Sequence, residues 1–204
     1  AVLAYAGNPE ELDSIQAHYH RQQYAHTSLY VVVGEGMTPP VSQDARIHFV
    51  TSAQAKNISV GDLDTRADLT AGMVAEDYYG PNYLEDIALA TRYTPAGLIG
   101  KAARYTWTGG TVQLRHADQT YHPVPRLPAR AAAIRRHVIE KETVLEWVQS
   151  LGTRQLQADQ GLAIDEFNYC EQGAAADVAV IREHVDDLPG LNIGVSIDDL
   201  LKTA

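Results

Sequence analysis

The apolar positions of this chain gather in short continuous runs rather than in alternation. Runs at residues 1–6, 28–33, 46–50 and 69–74 are each about one strand long. The run 28–33 is unbroken and rich in β-branched residues, as a central strand buried on both faces requires. Between the first two runs, Asn8, Pro9, Glu10 and Glu11 supply a helix cap, a proline for the first helical position and acids for the first turn. The helix they open is expected to reach about Gln23, with Leu12, Ile15 and His18 or Tyr19 on one face. Since each strand is separated from the next by a helix or a long connection, the four are expected to lie side by side and mainly parallel.

Further along, the polar stretch 51–68 reads as a connection, and 81–93 as a helix opened by Pro81 with Leu84, Ile87 and Ala88 turned inward. Residues 97–106 and 111–116 read as strands around the turn Thr108-Gly109-Gly110. A Pro-broken loop is expected at 121–128, a helix at 137–150, and short extended pieces at 154–159 and 162–167. Helices at 174–185 and 196–202 close the chain. There is no internal repeat and no low-complexity linker.

Composition narrows the class. At 204 residues the chain is expected to form one domain, 1–204, with halves at 1–94 and 95–204, large enough to bury roughly 70% of its unfolded surface. A formal charge of −10 argues against a nucleic-acid partner, although Arg126, Arg130, Arg135 and Arg136 gather locally, where one or two could serve a sugar-nucleotide diphosphate or simply stand on solvated surface near a loop. The single cysteine, Cys170, excludes an internal disulfide framework and fits a reducing, cytoplasmic setting, with Cys170 itself expected as buried packing. No run approaches the ~20 apolar residues of a membrane span. The chain starts directly in an apolar run with no initiating Met, so a piece of a longer protein is expected.

The candidate chemistry lies in residues 71–84, where an apolar run ends in Glu76 and Asp77 and a Pro-started helix follows. Ligands bind at the carboxyl ends of strands in open α/β sheets, and adjacent carboxylates there suit a divalent cation carrying a phosphate. Asp77 could equally cap the turn into Pro81. The pattern resembles the aspartate-rich motif of family 2 glycosyltransferases of the GT-A fold, Leu-Asp-x-Asp-Asp before a Tyr-x-x-Pro-x-Tyr-Leu helix start. Here the same register reads Met73-Val74-Ala75-Glu76-Asp77. Residues 1–36 are similar to the family's opening strand, helix and second strand, residues 80–101 are the closest local match, and 165–169 look like its late Asp-Arg-Phe-Asn-Tyr segment.

The resemblance implies a GT-A-type α/β fold with a mainly parallel central sheet flanked by helices and a mixed C-terminal half. It further implies a nucleotide-diphospho-sugar donor and a glycan acceptor, with Mn2+ or Mg2+ on Glu76 and Asp77. The nucleotide slot falls at the end of the first strand, Tyr5 and Ala6, and at Glu35, which stands in Gly34-Glu35-Gly36 where the family has Asp-Asp-Gly. The catalytic base falls on Glu142 in Glu140-Lys141-Glu142-Thr143, matching the family's Glu-Asp-Thr-like helix start. Glu140 and Glu142 could instead sit in a first helical turn for electrostatic reasons alone, and a competing register sets Gly152-Thr153-Arg154 at that motif and leaves no base.

Other signals are weaker. Gly34-Glu35-Gly36 lacks the third glycine and the immediate helix of a dinucleotide-binding turn. The eight histidines show no ligand spacing. Tyr78, Tyr79, Tyr83, Tyr105, Trp107 and Tyr121 could line a sugar groove or fill the core. With Gly34, Val74, Glu76 and Glu142 replacing the family's aspartates, two functions stand open. One is a glycosyltransferase acting on a surface or secondary polysaccharide. The other is a catalytically degenerate binding or scaffolding domain within a larger protein, with the other domains of that longer chain as partners; a small-molecule nucleotide-binding regulator is a third class.

Overall fold

A computed structural model describes the chain at residues 1–139 and 141–186. Its centre is a seven-stranded sheet. The strands are β1 (Val2–Ala6), β2 (Leu29–Val33), β3 (Ile47–Thr51), β4 (Leu69–Met73), β6 (Leu98–Gly100), β10 (Ala132–Arg135) and β12 (Gly161–Ala163), arranged β12-β6-β10-β4-β1-β2-β3. All run parallel except β10, which is antiparallel to both neighbours. The four apolar runs read from the sequence are therefore adjacent parallel strands, in a mixed α/β fold.

Burial on both faces explains why the runs of β1 and β2 are continuous, while β3, at the edge of the sheet, is half-buried and carries His48. Val2, Ala4 and Ala6 of β1 point into one core layer, and Leu3 points into the other with the half-buried Tyr5 packed beside it. The first layer is covered by α1 (Pro9–Arg21) and α4 (Tyr83–Ala90). The second is covered by α2 (Ser52–Ala55), α3 (Val60–Leu63) and α5 (Val144–Ser150). Helix α1 starts where its sequence says: Asn8 Oδ1 accepts from the Glu11 amide at 2.9 Å, and Pro9 follows. Its buried residues are Leu12, Ile15, His18 and Tyr19. On the opposite face Trp147, Val148 and Leu151 are buried, and burying a Val or Leu fully stabilises by about 1.5–3 kcal/mol.

Strand β10 enters from the carboxyl edge because Gly100 lets it. A Cβ on Gly100 would lie 2.4 Å from the Ala131 carbonyl oxygen, so only glycine permits the crossing.

A second sheet stands off the carboxyl edge. It contains β5 (Tyr78–Tyr79), β7 (Arg104–Thr108), β8 (Thr111–Arg115) and β13 (Tyr169–Glu171), in the order β5-β13-β7-β8. Gly109 and Gly110, at φ +61° and +85°, close the β7–β8 hairpin with the positive φ pair such a two-residue turn demands. Strands β9 (Arg126–Pro128) and β11 (Gln155–Gln157) form a small ribbon, and α6 (Val178–Val185) packs on β13 through Ile181 and Val185.

Several boundaries differ from the sequence pattern. The single strand expected at 97–106 is two, β6 and β7, in different sheets, because the chain turns at residues 101–103 around the buried Lys101. The helix expected at 137–150 is confined to α5, since Thr143 and Glu146 form a capping box that starts it there. The connection 51–68 contains α2 and α3, the loop 121–128 ends in β9, and the helix expected from 174 starts at Val178 behind the Asp177 cap. The helix expected at 196–202 lies outside the described residues. No helix among the described residues is long and apolar enough to cross a membrane.

Candidate functional site at the carboxyl edge of the sheet

Strands β1, β2, β4, β6 and β12 all end on one edge. At the end of β1 the backbone is unusually close to its neighbour. The Gly34 amide donates to the Ala6 carbonyl at 2.8 Å, and a Cβ on Gly34 would lie 3.1 Å from both Gly7 Cα and Tyr5 Oη. The β1–α1 turn is pinned by Glu11, whose carboxylate accepts from the Gly7 amide at 2.6 Å and from Asn8 Nδ2 at 2.9 Å. The three residues assigned to the nucleotide slot thus share this corner. Ala6 is buried and offers backbone, Tyr5 is half-buried, and the Glu35 side chain is 84% exposed with Lys56 3.7 Å away.

The adjacent carboxylates have very different surroundings. Glu76 is exposed, with Oε1 2.8 Å from Arg130 Nη2. Asp77 is fully buried and takes four donors: Arg130 Nε and Nη2, each at 2.7 Å, Tyr169 Oη at 2.6 Å and the Gln172 amide at 2.8 Å. Arg130 itself is buried, donates also to the Gly152 carbonyl at 3.1 Å, and lies 3.7 Å from Glu171, which Arg104 engages at 2.7 Å. Burial pushes the Asp77 carboxyl up to about 6, opposed by Arg130, Tyr169 and Gln172. At neutral pH the pair is a carboxylate and a guanidinium. The cation facing Glu76 and Asp77 is thus an arginine, and a divalent ion taking Asp77 would have to displace bonds that the buried guanidinium cannot replace from water. Among the described residues no group of three or more His, Cys, Asp or Glu is arranged to hold a metal. Asp77 does not cap α4 either: its N-cap is Asn82.

A second charge cluster lies beside the first. Lys101, with no exposed surface, donates to Asp165 at 2.7 Å and to Asp86 at 3.1 Å, and Asn168 Nδ2 also reaches Asp86 at 3.1 Å. Asp86 is pushed up by burial, with Lys101 opposing. Asp165 further accepts from the Phe167 amide at 3.0 Å. Residues 165–169 therefore join both clusters, Asp165 and Asn168 to Lys101 and Asp86, and Tyr169 to Asp77. In the sequence Arg130 stands out only as one of a local basic group, and Lys101 not at all. Their signal is a charged residue flanked by apolar ones, Arg130 among Leu127, Ala129 and Ala131, and Lys101 between Ile99 and Ala102.

His18 sits behind Ala75. Its Nε2 is 3.3 Å from the Ala75 carbonyl and from Ser14 Oγ, and Ser14 donates to the same carbonyl at 2.9 Å. Burial lowers the imidazole to about 4, so it is neutral at pH 7.

Glu142 lies elsewhere. It precedes the Thr143 cap of α5, outside the first turn, forms an ion pair with Arg154, and lines a cavity of about 230 Å³ with Ile134, Val138 and Trp147. Glu76 is near Gly152, past the other end of α5. Helix α5, seven residues long and so about 10 Å at 1.5 Å per residue, lies between Glu142 at its start and Gly152 beyond its end, and the carboxylate of Glu142 is engaged by Arg154. Glu146, not Glu142, completes the capping box, and Glu140 lies outside the described residues. Of the aromatic candidates, Tyr78, Tyr79 and Tyr83 are core, Tyr105 and Trp107 are half-buried, and Tyr121 is exposed. Cys170 is buried, and burial pushes its thiol up to about 12.

This architecture is a glycosyltransferase-like α/β fold. The S. aureus TarS structure spanning residues 1–349, in complex with UDP-GlcNAc, matches over 92% of this chain and 67% of that one, with a TM-score of 0.52 and 11% identity. The same protein in complex with UDP matches over 99% of this chain and 77% of that one, at 0.51 and 10%. No protein-family model matches the sequence, and no curated protein matches it.

Proposed function

We propose that the chain is a nucleotide-sugar-binding domain of glycosyltransferase type that holds its ligand without a divalent cation and does not transfer the sugar. The observation that carries this reading is Arg130, whose single guanidinium bonds both the buried Asp77 and the exposed Glu76. In a metal-dependent transfer the cation offsets the charge of the leaving diphosphate and needs a near-octahedral set of oxygens. Asp77 has spent its lone pairs on protein donors, which leaves Glu76 alone of the two. The ligand slot is the corner formed by Tyr5, Ala6 and Gly34, where backbone can meet a nucleobase closely, with Glu35 within reach of the ribose. The resemblance to family 2 enzymes and the fold shared with TarS, solved with UDP-GlcNAc and with UDP, support the ligand class.

The test is a calorimetric titration with UDP, GDP, CDP and UDP-sugars, in EDTA and in Mn2+. We expect affinities that agree within about 2-fold between the two conditions, a difference below 0.5 kcal/mol, and no nucleoside diphosphate release on prolonged incubation. Strengthening by Mn2+ that Glu76→Ala removes would overturn the metal-free reading. Turnover of the sugar donor onto a glycan would overturn the binding-only reading.

The second reading is an active transferase building a surface or secondary polysaccharide, with Mn2+ or Mg2+ on Glu76 and Asp77 and Glu142 as base. One observation favours it: the Glu76 side chain is 46% exposed and keeps lone pairs toward solvent. Against it stands the Arg154 guanidinium paired with Glu142, which a base would have to leave to take a proton from the attacking oxygen.

A further inference from the structure

The opposite edge of the sheet carries a cationic groove on an otherwise acidic molecule. Strand β10 ends there, with Arg135 paired to Leu69 at the start of β4, and the chain continues through Arg136 and His137. Two adjoining hollows of about 530 and 400 Å³ share Arg135 and His137. The first adds Arg92 and Tyr93 to its lining, and the second adds Arg136 and Asp68. Asp68 is the one carboxylate lining either hollow among the described residues.

What distinguishes these arginines from Arg130 is the absence of counter-charge. Arg135 is half-buried, yet its guanidinium donates only to carbonyls, Nε to Ala96 at 2.9 Å and Nη2 to Thr94 at 3.1 Å. Arg136 Nη1 donates to the Thr65 carbonyl at 2.5 Å. Among the described residues neither has a carboxylate within ion-pair distance, and the same holds for Arg92. Carbonyls orient a guanidinium without neutralising it. Two oriented forks, with the exposed Arg92 beside them, therefore line the two adjoining hollows, in a chain whose net charge is −10, and like charges so gathered are costly unless an anion lies between them. The exposed ring of Tyr93, 62% accessible, forms one side.

We propose that this groove binds a small organic anion carrying at least two phosphate groups, with Arg135 and Arg136 gripping one phosphate, Arg92 the other, and Tyr93 lying against the organic part. Guanidinium forks match phosphate oxygens bidentately, and hollows of this size suit a small molecule. The net acidity of the chain disfavours a long polyanion such as nucleic acid, because every segment beyond the groove meets repulsion.

The experiment is a calorimetric titration of the whole chain with tripolyphosphate at low ionic strength, repeated with Arg92→Gln, with Arg136→Gln and with saturating UDP. Arg92 and Arg136 are exposed, so both variants keep the fold, which circular dichroism checks. Saturable binding that each variant weakens by about 10-fold or more is expected, the loss of one charge-assisted contact, and it should persist in the presence of UDP. Binding that both variants leave unchanged, that UDP abolishes, or that does not saturate overturns the proposal.

Discussion

Removing the charge of Asp77 tests the logic of the carboxyl edge most directly. In Asp77→Asn the side chain keeps its size, but the fully buried carboxylate that receives Arg130, Tyr169 and Gln172 becomes a neutral amide with a single acceptor oxygen. One Arg130 contact turns into an N–H facing an N–H. Glu76 and Glu171 remain near the guanidinium, at 2.8 and 3.7 Å, but their side chains are 46% and 25% exposed, so solvent screens what they supply. Breaking one side of a buried pair costs about 3–5 kcal/mol, out of a total stability on the order of 5–15 kcal/mol. With a urea slope of about 2–3 kcal/mol/M, the denaturation midpoint should fall by roughly 1–2 M. The assay is equilibrium urea unfolding followed by circular dichroism and by the fluorescence of Trp107 and Trp147. The partner experiment is the double variant Asp77→Asn/Arg130→Met, in which the uncompensated charge is gone as well. Replacing both members of a buried pair is often near neutral, so the double variant should recover most of the lost midpoint. An Asp77→Asn midpoint within about 0.3 M of the parent, or a double variant worse than the single one, would refute the argument that this pair, and not a bound cation, satisfies Asp77.

The remaining expectations are shorter. His18 titrates near 4 in the folded chain against 6.5 unfolded, so the unfolded state binds the extra proton and stability drops as pH falls from about 6.5 to 4, by at most about 3 kcal/mol at 1.36 kcal/mol per unit. His18→Gln should flatten that part of a stability-versus-pH series, and an unchanged slope would show that another group causes it. Gly100→Ala drives a methyl to within 2.4 Å of the Ala131 carbonyl and should cost about 1–3 kcal/mol in the same urea assay; a neutral result would mean β10 can shift. Glu142→Gln takes the charge from a largely buried pair with Arg154, whose side chains are 20% and 25% exposed, and should cost about 1–3 kcal/mol while leaving nucleotide binding intact, which a titration with UDP checks.

Much of the nucleotide half of the fold was written locally. The runs at 1–6, 28–33 and 69–74 are largely buried on both faces, so each shows itself as a mainly apolar string without reference to its partners, whereas 46–50, with Arg46 and His48, forms the edge strand and shows a mixed pattern. The Asn8-Pro9 start of α1 and the Gly109-Gly110 turn are equally local, since a cap and a positive φ pair depend on a few residues. What the sequence could not determine by itself was where charges separated along the chain would meet. Glu76 and Asp77 read as an open acidic pair because their counter-charge, Arg130, is 53 residues away from Asp77 and arrives only when β10 threads antiparallel between β4 and β6. Lys101 likewise needs Asp86 and Asp165, and the strands β5, β9, β10 and β13 are too short to carry a periodicity of their own. Whether Glu142 faces Glu76 depended on which end of α5 each residue occupies, a matter of packing direction. Local propensity and burial decide elements, whereas the sum of long-range pairings decides whether a carboxylate meets solvent, a metal or an arginine.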